Sequence, residues 1–336
     1  MSSKPTILIL SGSGDLHADW IEQKLHERGV SPFHFTSADF PTKAEMSRFY
    51  SPTGKVETIL RFNRLSITLE DVQSVWNRRY QKPVPHAHLP SAAIQEFLTD
   101  ECDSFVQDIW NSLDCFWLPA APAILHRAKF KALQLKLAGE LGFELPPTLI
   151  SNSPDDFIEF YNQHHGRIIS KVAGPMMLRS LRDDFARFTE IVSNQDVAYA
   201  QDLRYCPVIF QAYVPKRIEL RITVVGQTVL AAEIHSQQTH HTRHDWRHYD
   251  YYNTVYLPHN LPEPISQQCV QLTNKLGLCY GAIDMVLTPD GRYVFLEINP
   301  NGQFLWIEQA TGLPISDAMC DLLIAARTSR SLPQVA

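Results

Sequence analysis

The sequence predicts an α/β protein in which a parallel-sheet unit is followed by smaller mixed and antiparallel sheets. Three observations carry this. Residues 6–10 (TILIL), the turn Ser11-Gly12-Ser13-Gly14-Asp15, an amphipathic pattern at 18–28 and a second apolar run at 31–36 read as strand, helix, strand. That order makes a βαβ unit and hence a parallel sheet. Pro119-Ala120-Ala121-Pro122 then breaks the chain, and the pattern changes after it. Finally, two apolar runs at 280–300 flank Thr288-Pro289-Asp290-Gly291, the signal of a β-hairpin.

In chain order, Gly29 stops the first helix. The Gly-rich turn before that helix lacks the third glycine of a dinucleotide fingerprint and the lysine of a P-loop, so it reads as a tight turn. Residues 56–62 and 65–69 alternate around Asn63-Arg64 and predict an edge hairpin. Residues 72–76 (VQSVW) are a buried strand, followed by Asn77-Arg78-Arg79-Tyr80. Arg78 and Arg79 thus sit past a strand's carboxyl end, where open α/β sheets bind ligands, and equally fit a solvated loop. A helix at 92–113 and a strand at 115–118 close this unit.

Beyond the proline break, 127–141 reads as one basic helix closed by Gly142, and 149–150 as a strand. Ser153-Pro154-Asp155-Asp156 is a helix start, with N-cap, Pro at N1 and acids in the first turn. Residues 167–172 (RIISKV) are a strand carrying Lys171. The polar stretch 178–202 reads as a hairpin or loop with a short helix. Strands follow at 207–214, 219–225 and 229–235, the last two joined at Gly226-Gln227. Helices are expected at 266–276 and 315–328. No internal repeat is present.

At 336 residues the chain can bury one large core or two to three small ones. Its 30 basic and 36 acidic residues argue against a general nucleic-acid surface. Six cysteines without a CxxC spacing, and no export signal, read as reduced thiols of a cytoplasmic protein. The apolar runs are too short to cross a bilayer.

The hairpin at 280–300 carries the chemistry. Alternation puts Tyr293, Phe295, Glu297 and Asn299 on one face of its second strand, and Asp284 opposite in direction to Ile283 and Met285. Asp284, Glu297 and Asn299 can then meet as hard oxygen ligands. Carboxylates in an apolar setting are costly unless a cation offsets them, and Mg²⁺ with nucleotide phosphates suits that set. A half-exposed hairpin with a polar outer face has the same spacing. Arg221 alternates onto the face of Glu219 and fits either a strand-face salt bridge or a phosphate clamp. His240, His244 and His248 recur every fourth residue in a stretch rich in His, Arg and Asp, read here as a loop that orders over an anionic substrate. A histidine there, His235 included, suits the task of a base.

Lys129 and Lys131 after the proline break, Lys171 on a strand, Glu219-Leu220-Arg221, and Asp284 with Glu297-x-Asn299 resemble, in order and spacing, the ATP-grasp superfamily of carboxylate–amine and carboxylate–hydroxyl ligases. LEINPNGQF is the most specific part. Over almost its full length the chain resembles one subgroup, the microviridin-type or graspetide maturases that close macrocyclic esters and amides on ribosomal peptides. That likeness rests on SVWNRRY near Trp76, on CPVIFQAYVPKRIELRITVVG, on SQQ followed by DWR, and on LGLCYGAIDMVLTPDGRYVFLEINPNGQFLWIE.

The resemblance implies an ATP-grasp fold in three parts. These are an N-terminal parallel α/β domain (1–120), a central subdomain (121–206) with a leader-binding segment at 178–202, and a C-terminal ATP- and Mg²⁺-binding subdomain (207–328) before a polar tail (329–336). It implies ATP and two Mg²⁺ as cofactors, with Asp284, Glu297 and Asn299 on the metals. Lys171 would meet the α- and β-phosphates, and Lys129 or Lys131 would reach phosphate too. Gln211, Ala212, Tyr213 and Val214 would form the adenine hinge, without the acidic residue usual there, and Glu219 would hold the ribose. Arg221 and Arg247 would act on the transferring phosphate or the substrate carboxylate. Arg78, Arg79, Arg179, Arg182 and His235 are substrate candidates. The implied partner is a precursor peptide, leader plus core, on a cytoplasmic homodimer with neither nucleic acid nor membrane. The alternative is an ATP-grasp ligase that adds an amino acid to a small molecule or a protein tail.

Overall fold

The computed structural model describes residues 6–89, 91–172, 177–179, 184–186, 189–236 and 254–326, the side chains of 6, 177–179 and 184–186 excepted. The amino-terminal unit starts with β1 (Thr6–Leu10), α1 (Leu16–Glu27) and β2 (Phe33–Phe35). Asp15 caps α1, its carboxylate accepting from the His17 N–H. Next come β3 (Ala44–Tyr50), β4 (Val56–Phe62), β5 (Leu65–Thr68), β6 (Val72–Asn77), α2 (Ala92–Ser112) and β7 (Phe116–Leu118). The parallel sheet runs β2-β1-β6-β7. The expected edge hairpin is a three-stranded antiparallel meander, β3-β4-β5. Its tight turn at Asn63-Arg64 has positive φ at both residues, as a two-residue hairpin loop needs.

The basic segment after the proline break is two helices rather than one, α3 (Pro122–Ala128) and α4 (Lys131–Glu140). Phe130 is extended between them. The buried Gln134 explains the break: its Nε2 donates to the Ala128 carbonyl, which α3 would otherwise leave unpaired. Then follow β8 (Thr148–Ser151), α5 (Pro154–Gln163), β9 (Ile168–Lys171), the hairpin β10 (Met177–Arg179) and β11 (Asp184–Ala186), β12 (Glu190–Ile191), α6 (Asn194–Ala198) and β13 (Val208–Ala212). The central sheet runs β12-β9-β13-β8. β13, read above with the C-terminal subdomain, is therefore a central strand, paired with both β8 and β9.

The last unit is β14 (Ile218–Val225), β15 (Thr228–Ile234), β16 (Tyr256–His259), α7 (Glu263–Lys275), β17 (Tyr280–Leu287), β18 (Tyr293–Asn299), α8 (Leu305–Thr311) and α9 (Ile315–Ala325). Its antiparallel sheet runs β16-β15-β14-β17-β18. One face buries Leu220, Ile222, Met285, Phe295 and Ile298 against α4 and α7. Beyond it, α9 joins this unit to the first: Met319, Cys320 and Leu323 share a core with Ile7, Ile21 and Trp76. The Ser74 hydroxyl donates to the Leu323 carbonyl, and Trp20 Nε1 to Glu308. The six cysteines are free thiols. Among the described residues no helix is long and apolar enough to cross a membrane.

Candidate active site

The site is built on the face of β14, β17 and β18 that turns away from the α4–α7 core. Cross-strand register sets Arg221 opposite Asp284 and Asp284 opposite Glu297, with Asn299 opposite Ala282. Simple alternation fails at one point. A bulge falls between Asp284 and Met285: Met285 pairs with Phe295, so Leu296 is the extra residue. Phe295 is consequently buried in the core, whereas Leu296 and Glu297 both line the cleft. Tyr293 also packs on the core side, so Tyr293 and Phe295 do not share the face of Glu297 and Asn299. The bulge re-aims one side chain at the site, a common use of the device.

The charges on this face are matched. Arg221, 4% exposed, donates through Nη1 to both Asp284 oxygens, at 2.8 and 3.0 Å. Burial works against its positive charge. The Asp284 carboxylate, helped by Tyr280 and Glu297, carries its pKa above the ordinary arginine value. Lys131 Nζ lies 2.6 Å from Glu297 Oε2, and Lys216 Nζ 2.6 Å from Glu219 Oε1. Asn299 Nδ2 donates to Asp284 at 3.0 Å and to Glu297 at 3.2 Å, so both carboxylates converge on one point. Gln134 also fixes β18 from α4, its amide bonded to both the N–H and the C=O of Ile298. That staple holds Lys131 over Glu297.

A cleft opens in front of this face, between it and the central sheet. It is lined by Lys171, Gln211, Ala212, Tyr213, Val214, Glu219, Asp284 and Glu297, with Ile169, Val286 and Leu296 as apolar walls. Gln211 is buried; its Nε2 donates to Thr148 Oγ1, while its Oε1 has no hydrogen-bond partner among the described residues. The N–H groups of Ala212 and Tyr213 donate to the carbonyls of Pro147 and Arg167.

The structure thus brings together Lys131, Lys171, Gln211–Val214, Glu219, Arg221, Asp284, Glu297 and Asn299. Lys129 is exposed at the end of α3, so of the two lysines it is Lys131 that meets Glu297. Arg78 is buried, within 3.2 Å of Asp15 and bonded to the Asn301 carbonyl, and is not open to a substrate; Arg79 beside it is exposed. His235 pairs with Glu233, on the other face of the sheet from Arg221. Arg182, Arg247 and the histidines at 240, 244 and 248 lie outside the described residues, as does the side chain of Arg179. The sequence reading missed Lys216, Gln134 and Tyr280. Only Lys216 left a signal, a cation three residues before Glu219 at a strand start.

A model of the MvdD pre-ATP grasp domain matches residues 6–124, and a model of the RimK-like ATP-grasp domain matches residues 126–323. The chain belongs to the RimK-like ATP-grasp family. Among solved structures it is 31% identical to the macrocyclase MdnC of Microcystis aeruginosa MRC, bound with precursor peptide MdnA. That match has a TM-score of 0.84 and covers 95% of this chain and 99% of the other. It is 30% identical to a Chryseobacterium gregarium RiPP-associated ATP-grasp ligase in complex with ADP and a leader and core peptide. There the TM-score is 0.89 and the coverage 98% and 100%. Human N-acetylaspartylglutamate synthase A is 24% identical over 215 residues, 62% of this chain and 52% of the relative. The chain spans about half the length of the curated relatives it matches.

The ATP-grasp fold implies ATP, and the cleft fits a nucleotide. Apolar walls face a base, and the unpartnered Gln211 Oε1 is an acceptor suited to a purine amino group. Among the described residues no group of three or more His, Cys, Asp or Glu could hold a metal. The hairpin offers two carboxylates and one amide, all hard donors. Mg²⁺ is typically held in this way, by one or two carboxylates and the substrate's own phosphates.

Proposed function

We propose that this ligase phosphorylates Asp or Glu side chains of a ribosomal precursor peptide and closes macrocyclic esters or amides with Ser, Thr or Lys side chains, releasing ADP and phosphate. The carrying observation is the charge-matched face on which Arg221 pairs with Asp284 and Lys131 with Glu297, the two carboxylates lining the cleft, in a chain similar to a macrocyclase over 95% of its length.

A carboxylate does not condense with an alcohol or amine at neutral pH, but an acyl phosphate has a good leaving group. Two Mg²⁺, held by Asp284, Glu297 and Asn299, would supply charge neutralisation for the transferring phosphoryl group. Lys131 and Lys171 contribute positive charge to the phosphates, Glu219 accepts from the ribose hydroxyls, and the Gln211–Val214 segment meets the base. With the Ala212 and Tyr213 N–H groups already bonded, Val214 is the residue whose N–H faces the purine. Arg221 stabilises the acyl phosphate and the oxyanion formed when the nucleophile attacks; one such donor is typically worth about 10²–10³ in rate. Arg247 is a second clamp, Arg79 a contact for a substrate carboxylate, and the 178–202 segment the leader site, with Arg179 and Arg182 facing leader acids. The enzyme acts in the cytoplasm as a homodimer.

The test is to incubate the protein, ATP and Mg²⁺ with a candidate precursor peptide, sought as a short Thr/Ser- and Glu/Asp-rich reading frame beside the gene, then weigh the product. Loss of about 18 Da, one water, per ring supports macrocyclisation. Gain of an amino-acid residue when free amino acids are added establishes the alternative, the activity class of the curated relatives.

A further inference from the structure

The loop after β18 exposes three consecutive carbonyls to three different buried donors. Arg78 Nη1, at the end of the N-terminal strand β6, donates to Asn301 O at 3.0 Å. Tyr280 OH, on β17, donates to Gly302 O at 2.7 Å. Arg221 Nη2, on β14, donates to Gln303 O at 3.3 Å. Arg78 and Arg221 are each 4% exposed and Tyr280 is 2% exposed. The packing has no slack. A Cβ on Gly302 would lie 2.3 Å from Ala282 Cβ and 2.7 Å from Arg221 Nη2.

These contacts form one chain of constraint. Arg221 has one nitrogen on Asp284 and the other on the loop, so its guanidinium plane is set by where the loop lies. The loop is set in turn by Arg78 and Tyr280. A buried carbonyl that loses its donor costs more than the bond is worth when made, so the loop has little reason to stay if either donor goes. The N-terminal domain reaches the cleft by this route, through Arg78, which Asp15 flanks at 3.2 Å.

We infer that Arg78 and Tyr280 are positioning residues for phosphoryl transfer: they fix the Asn301–Gln303 loop so that Arg221 is preset for the transferring phosphate. The inference rests on the role given to Arg221 above. Neither residue lines the cleft, so their effect is expected on the transition state and not on ground-state binding.

Calorimetry on the full chain separates these cases, with Mg·ADP as the ground-state probe and Mg·ADP plus aluminium fluoride as the probe of the transferring phosphoryl group. Wild-type protein is expected to bind the fluoride complex more tightly than Mg·ADP. Arg78→Met and Tyr280→Phe should each lose about tenfold of that gain, the scale of a slightly misplaced group. Both should keep their Mg·ADP affinity, and Arg78→Lys, which retains a donor for Asn301 O, should recover most of the loss. Tyr280→Phe removes a single hydroxyl and serves if Arg78→Met fails to fold. Full fluoride affinity in both variants overturns the inference. So does an equal fall in Mg·ADP affinity, which would make the loop a general support of the cleft. Wild-type protein that binds Mg·ADP but gains nothing from fluoride overturns the role of Arg221 itself, and is told apart because no variant is needed to see it.

Discussion

Two buried arginine–aspartate pairs flank the same loop, and they are built differently. Arg221 meets both oxygens of Asp284 through hydrogen bonds, and its charge is favoured beyond that of an ordinary arginine. Arg78 approaches Asp15 through Nε at 3.2 Å without the alignment of a hydrogen bond. Burial lowers its pKa by more than Asp15 recovers, and neighbouring Arg79 adds to the fall. The first pair stands among further counter-charges on an antiparallel sheet whose register fixes both partners. The second stands at the open end of a parallel sheet, on residues just past β6 and β1, where the Arg78 N–H makes a closing bond to the Leu10 carbonyl. A cation that must stabilise charge during a reaction needs the first kind of setting; one that docks a domain can tolerate the second.

The sharpest way to test that contrast is to remove each aspartate. Asp284→Ala leaves Arg221 buried without its partner and should cost about 3–5 kcal/mol in denaturant unfolding. Product formation should fall by about 10³, the upper range for one displaced oxyanion donor. Asp15→Ala removes a poorly aligned contact with Arg78, which keeps Asn301 O, together with the α1 cap and the Ser11 bond, so the stability loss should be about 1–2 kcal/mol, most of it from the cap. Equal losses would erase the distinction between the pairs. Arg221→Lys keeps a charge for Asp284 but not the planar fork, and should lose activity while unfolding close to wild type.

Next in size is Gly302→Ala, which must push either Ala282 or the Arg221 guanidinium aside. Activity should drop by about tenfold to a hundredfold, as for a small displacement of a reacting group. Gly291→Ala is the matched control: its φ of 87° makes it strained, but nothing lies within 4 Å of the new Cβ. It should cost about 1 kcal/mol of stability and no activity. A smaller contrast separates the two lysines. Lys131→Met should raise the KM for ATP by about tenfold through loss of a charge-assisted contact, whereas Lys129→Met should leave it unchanged. A rise on both would show that α3 moves onto the nucleotide.

Much of the site was legible because local rules sufficed. Thr288-Pro289-Asp290-Gly291 announced a hairpin, and alternation brought Asp284, Glu297 and Asn299 to one face. The bulge at Leu296 was not legible, since a strand's period does not reveal where one residue is added. Alternation therefore misassigned Tyr293 and Phe295. The α3–α4 break was hidden for a similar reason. The basic segment reads as an unbroken helical pattern, and only the burial of Gln134 against Ile298 shows why it stops at Phe130. β3 escaped notice because Glu45, Ser47 and Arg48 blur its alternation. The βαβ start was read correctly in kind, but Arg78 was misread in use. Its place past a strand end says that it lies at the sheet's open edge; that a partner domain covers that edge is a long-range fact.

The smallest expected effect belongs to His17, which lies beside Arg78. Burial, and then the Arg78 charge, depress its pKa from 6.5 to about 4. The folded protein therefore holds a neutral imidazole where the unfolded chain would take up a proton below pH 6.5. The stability due to this group is fully present above pH 6.5 and is lost as pH falls from there toward 4. Asp15 acts in a lower window: its folded pKa is depressed, so its contribution is present above 3.8 and lost on further acidification. Thermal melts of wild type and His17→Gln across pH 4–8 resolve the first window. The variant should melt with a flatter slope between pH 6.5 and 4 and with the same slope below. Superimposable curves would mean that His17 becomes protonated without cost beside Arg78. The N-terminal pair would then be far better solvated than its burial implies, and the contrast with Arg221 would rest on hydrogen-bond geometry alone.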